Sequence, residues 1–172
     1  MQKVEGILCP TDFSEGSLQA LATAKDVAKR FGAELCLVYV LPIMPVLPTD
    51  PKFAFETAEY ERLLHEDAQQ RLNNIVRELE REGMGSRAFL GHGDAASEIV
   101  RISEQQQIDL IVIATFGKTG WRRFAFGSVT EKVVRLAPCP VLTIRGVEPT
   151  SQPLELSKTI GSNHTHGFVR VK

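Results

Sequence analysis

Five short apolar runs, separated by four segments of helical periodicity, leave this chain few ways to fold. The runs are "VEGILCP" near the start, then "AELCLVYVL", "SRAFLGHG", "IDLIVIAT" and "CPVLTIRG". "AELCLVYVL" is apolar almost without a break, the pattern of a strand covered on both faces. Between the first two runs, "SLQALATAKDVAKRFG" carries Leu18, Leu21, Ala24, Ala28 and Phe31 at spacings of three and four, with Gly32 as its stop. "PIMPVLPTDP" holds four prolines and reads as a loop. "ETAEYERLLHEDAQQRLNNIVRELEREG" is a long amphipathic helix whose stripe is Leu64, Ala68, Leu72, Ile75, Val76 and Leu79. "DAASEIVRISEQQQ" opens on Asp94 as an N-cap, and "GSVTEKVVRLA" is ended by Pro138. Such β-α-β-α-β-α-β-α-β alternation means an α/β domain, a parallel sheet with helices on both faces.

The 172 residues suit one domain over residues 1–146 with an appended tail over 147–172. That tail is rich in Pro, Ser and Thr and reads as flexible or draped on the surface. A formal net charge of -1 supplies no global field for nucleic acid or an anionic membrane, and no apolar run is long enough to span one. The start, "MQKVEGILCPTDFSEGS", lacks the pattern of a secretory signal. Cys9, Cys36 and Cys139 form no C-x-x-C pair, and the first two sit inside apolar runs. They read as free thiols in a reducing cytoplasm.

In an open parallel sheet, ligands bind at the carboxyl ends of the strands, where the strand order reverses. Two runs end in suggestive chemistry, "CPTDFSEGS" and "ATFGKTG". An ionised Asp12 only accepts hydrogen bonds, so it can take one from the exocyclic amine of adenine, where guanine offers a carbonyl oxygen. Asp12 or Ser14 can equally cap the next helix. "GKT" resembles the end of a P-loop, but the glycine that motif needs five residues earlier is Val112. A split cradle is the alternative. Gly117 lets the backbone approach a phosphate, Lys118 adds charge, and Gly127-Ser128 opens a helix whose free N–H groups favour an anion. Ser128 and Thr130 bring hydroxyls to the same place. Against this stands a plain glycine loop with Ser128 as an ordinary N-cap. "GHGDAA", from Gly91 to Ala96, mimics a dinucleotide fingerprint, but it lies in the third β-α unit, and Asp94 would face a pyrophosphate with negative charge. It reads as a tight turn with a cap.

With "ILCPTDFSEGSLQAL", "GHGDAASEIV" and "DLIVIATFGKTGWRRFAFGSVTEKVVRLAPCPVLTIR", the chain resembles the universal stress protein family, in its single-domain, ATP-binding form, over about Lys3 to Arg145. The ATP-binding members carry G-x2-G-x9-G-[ST]. Here Gly117 and Gly127-Ser128 match the later elements, Ala114 replaces the first glycine, and Phe116 stands where relatives often have histidine. The resemblance implies an open five-stranded parallel sheet of order 3-2-1-4-5, Rossmann-like. It implies that Asp12 and Val40 contact adenine, with Pro10 and Thr11 beside them. Ala114, Gly117 and Lys118 would line the ribose and phosphate path, and Gly127, Ser128, Val129 and Thr130 would hold the phosphates of ATP carrying Mg or Mn. It also implies a homodimer through the last strand, Pro140 to Arg145.

Three functions fit such a chain: a nucleotide-responsive sensor in the stress response, a slow ATPase or autophosphorylating enzyme, and a nucleotide-free chaperone-like dimer. The sensor leads, because the cradle is complete while no residue is an evident general base.

Overall fold

The computed structural model describes residues 3–43, 51–115 and 127–145, with the backbone alone for 51–57. Its elements run β1 (Gly6–Pro10), α1 (Glu15–Phe31), β2 (Glu34–Leu41), α2 (Pro51–Arg81), β3 (Ser86–His92), α3 (Ala95–Gln105), β4 (Leu110–Ala114), α4 (Ser128–Leu136) and β5 (Val141–Ile144). The sheet is parallel with order β3-β2-β1-β4-β5. β1 therefore has β2 on one side and β4 on the other, with Ile7 opposite Leu110 and Leu8 opposite Ile111. The chain reverses its direction of travel across the sheet between β1 and β4, which puts a crevice beyond their carboxyl ends.

The pleat of the sheet sorts alternate side chains into two cores. Ile7, Cys9, Leu35 and Leu37 face α1 and α2 with Leu72 and Leu79, while Leu8, Cys36, Val38 and Ile111 face α3 and α4 with Ile99 and Val133. Burial pushes the Cys9 thiol up to about 12 and the Cys36 thiol to about 11, so both stay protonated and pack as small apolar groups. The three cysteines are free thiols.

Two helices differ from the sequence expectation. α1 buries Ser17, Ala20, Leu21, Ala24 and Ala28, whereas Leu18 and Phe31 are exposed. The stripe keeps its period but is turned toward the small residues, which let the helix lie close to the sheet. α2 begins at Pro51, earlier than its periodicity indicated. A proline lacks only an N–H that the first helical residue does not use, so Pro51 starts the helix rather than extending the loop. Gly32 ends α1 in the left-handed region, φ 64°, as expected of a stop. The expected tail, 147–172, lies outside the described residues.

Candidate functional site

A cleft of about 320 Å³ opens at the carboxyl ends of the central strands, within the range of small-molecule sites. Its floor and walls come from the end of β1 (Pro10, Thr11, Asp12), β2 (Val38, Tyr39, Val40), the end of β4 (Ile113, Ala114) and the start of α4 (Gly127, Ser128, Val129, Thr130). Nine of the eleven residues expected at the site therefore border one cavity. The other two, Gly117 and Lys118, lie outside the described residues, as does Phe116. Ser17, Tyr39, Ala95 and Ile99 also line it and were not foreseen. Ala95 and Ile99 stand one turn apart at the start of α3, a face that the rule of strand ends and following helix starts would have pointed to.

At one end of the cleft, Asp12 accepts hydrogen bonds from the amide and the hydroxyl of Ser14. Ser14 is the N-cap of α1, taking the Ser17 amide on its oxygen. The capping role left open between Asp12 and Ser14 thus falls to Ser14. Between them Phe13 sits in the left-handed region, φ 60°, with its amide donated to Thr11 Oγ1 at 3.0 Å. Its ring stacks on Tyr39 at 4.8 Å between centroids, and the Arg71 guanidinium covers it at 4.0 Å. Burial pushes the Tyr39 hydroxyl above its ordinary pKa.

At the other end, α4 starts at Ser128 with Gly127 as its N-cap and no side-chain capping bond. Ser128 is thus the first helical residue and not the N-cap that the plain glycine-loop alternative would make it. α1 and α3 differ, closed by Ser14 and by Asp94, whose Oδ1 takes the Ser97 amide at 3.0 Å. Asp94 is held below the ordinary carboxylate range by the Ser97 hydroxyl and amide and by Lys132. With Gly93 at φ 112°, "GHGDAA" is the capped turn expected of it. Among the described residues the first α4 amide to bond back is that of Glu131, to the Gly127 carbonyl at 2.9 Å, and helix geometry directs the amides of Ser128, Val129 and Thr130 out of the helix start.

Two bonds dock that start onto the end of β4. The Gly127 amide donates to the Thr115 carbonyl at 2.7 Å, and Thr130 Oγ1 donates to the Ala114 carbonyl at 2.7 Å. Thr130 is buried, and its only hydroxyl proton is committed to the backbone, which corrects the expectation that it donates to a phosphate. Ala114 ends a regular strand, and the non-glycine residues with positive φ among those described are Phe13 and Gln107. The alanine in place of the first motif glycine therefore carries no backbone strain. Val112, where a P-loop would need glycine, is wholly buried inside β4.

A doubly wound α/β domain with a cleft at its switch point, apolar along much of its wall, is a ligand-binding class of fold. The sequence model of the universal stress protein family matches residues 4–145, and the chain belongs to that family. It is 37% identical over 139 residues to the universal stress protein MJ0531 of Methanocaldococcus jannaschii, covering 81% of this chain and 81% of that one. The solved structure of MJ0577, from the same organism, superposes with a TM-score of 0.72 at 32% identity, covering 84% of this chain and 97% of that one. The Archaeoglobus fulgidus universal stress protein solved with dAMP shares the fold, with a TM-score of 0.55 at 21% identity over 83% of this chain and 99% of that one.

Proposed function

We propose that the cleft takes an adenine nucleotide, ATP carrying Mg or Mn, and that the protein is a nucleotide-responsive regulatory module of the stress response. The observation that carries this reading is the open start of α4 facing the same cavity as Asp12. Three outward amides and the positive helix end favour an anion, and an acceptor at the far end favours a base with an exocyclic amine. Val40 and Pro10 offer apolar surface to that base. Among the described residues no cluster of three His, Cys, Asp or Glu side chains could hold a metal, so the divalent ion would ride on the phosphates. A family member solved with dAMP takes a ligand of the same chemical class.

Occupancy would act on the segment 116–126, which carries Gly117 and Lys118. The described residues on either side of it, Thr115 and Gly127, are joined by the bond from the Gly127 amide to the Thr115 carbonyl. Binding rather than hydrolysis is favoured because the ionisable side chains on the described walls are Asp12 and Tyr39, neither of them on the α4 side. A second copy would dock along β5, the edge strand among the described residues, which carries the exposed Leu142. A native mass equal to one chain at micromolar concentration would remove the dimer. Among the described residues no helix is long and apolar enough to cross a membrane. The free thiols suit a reducing cytoplasm.

Base preference tests the nucleotide reading. Saturating Mg-ATP should raise the melting temperature, since a ligand at a hundred times its Kd stabilises by about 2.7 kcal/mol, and Mg-GTP should do so much less. Asp12→Asn should narrow that difference about tenfold, because a rotated amide donates to the guanine carbonyl. An ATP preference unchanged in the variant would remove Asp12 from base recognition.

A further inference from the structure

At the end of β1 the hydroxyl network has only one consistent direction. Ser17 Oγ donates its single proton to the Ser14 carbonyl at 2.9 Å. The 3.1 Å contact between Ser17 Oγ and Thr11 Oγ1 must therefore have Thr11 as donor. Thr11 Oγ1 in turn accepts the Phe13 amide at 3.0 Å. The Ser14 oxygen accepts from the Ser17 amide at 3.3 Å, which is its capping bond, and its proton goes to Asp12 Oδ1. The Ser14 amide reaches the same Oδ1 at 3.0 Å.

An N-cap serine needs only its oxygen to close a helix. Here the proton is used as well, and it points back two residues at the carboxylate on the cleft wall. Two donors from one residue converge on one oxygen, which fixes the plane of the carboxylate and with it the second oxygen. The turn that allows this needs Phe13 at φ 60°, a conformation costly for an aromatic residue. Its ring is held between Tyr39 and Arg71.

We infer that Ser14 is a positioning residue for base recognition: its hydroxyl orients Asp12 in the cleft while its oxygen caps α1. The inference rests on the adenine-nucleotide reading for its effect on binding, and on geometry alone for its effect on Asp12.

Ser14→Gly separates the two jobs, because glycine caps a helix nearly as well as serine but has no proton to give. The variant should melt close to wild type, bind Mg-ATP about tenfold more weakly and lose about tenfold in preference for Mg-ATP over Mg-GTP, the size of one charge-assisted hydrogen bond. Ser14→Thr should restore both. In the nucleotide-free protein, three-bond couplings should show one χ1 rotamer for Asp12 in wild type and a broader distribution in Ser14→Gly, which keeps the amide donor of residue 14 but not the hydroxyl. A single Asp12 rotamer retained in Ser14→Gly would overturn the inference, as would unchanged affinity and base preference. If wild type binds no nucleotide, the adenine reading fails by itself, and the couplings still decide what Ser14 does.

Discussion

Gly127→Leu should raise the Kd for Mg-ATP at least a hundredfold, about 2.7 kcal/mol, with the fold intact. Gly127 has φ -71° and ψ 158°, which any residue adopts, so the backbone does not demand glycine. Space does. A Cβ at this position would sit 3.2 Å from the Thr115 carbonyl oxygen, close enough that the helix start or β4 must give by a few tenths of an ångström. A leucine also adds bulk at the start of α4, where a phosphate would approach the amides of Ser128 and Val129. Gly127→Ala should fall between wild type and Gly127→Leu, because it brings only the first of these effects. Titration calorimetry reads the affinity, and circular dichroism melts verify the fold. Binding by a folded Gly127→Leu with the wild-type Kd would place the phosphates elsewhere.

The second large effect is on stability. Thr130→Val keeps the shape of the side chain but deletes the 2.7 Å bond to the Ala114 carbonyl. Thr130 is buried, so water cannot readily replace the donor, and the cost is about 1–3 kcal/mol. That amounts to a fall in Tm of roughly 2–10 °C for a chain of this size. Thr130→Ser should recover most of it. The Kd for Mg-ATP should change less than threefold in Thr130→Val, since the amide at 130 is untouched. A large loss of affinity with an unchanged melt would instead make the hydroxyl a phosphate donor.

The alternation of strands and helices was readable because it is written locally, whereas the strand order came from the resemblance to the universal stress protein family, since no local signal sets β4 beside β1. Alternating apolar runs set a parallel sheet, and Gly127-Ser128 after the fourth strand marks an open helix start. Other features depend on which surfaces meet. The register of α1 on the sheet was misread because Leu18 and Phe31 match the period as well as Ala20 and Ser17 do, and only packing distance against the sheet prefers the small set. The start of α2 was misplaced because a proline-rich stretch signals a loop until its last proline proves to be the first helical residue. Tyr39 and Ile99 reach the cleft from opposite sides of β2, one at the strand's turn of the pleat and one from a helix distant in sequence. The hydroxyl of Thr130 looked like a ligand because nothing in "GSVTEKVV" reveals the Ala114 carbonyl beside it.

On the proposed function, one cleft binds an adenine nucleotide between Asp12 and the start of α4. Native mass spectrometry of protein purified without added nucleotide, then titrated with Mg-ATP, tests it most directly. The expected result is a bound adenine nucleotide, present from the start or acquired at micromolar ATP, one per chain, displaced poorly by GTP and absent in Gly127→Leu. A chain that stays nucleotide-free through millimolar Mg-ATP, or that carries it equally in wild type and Gly127→Leu, would contradict it.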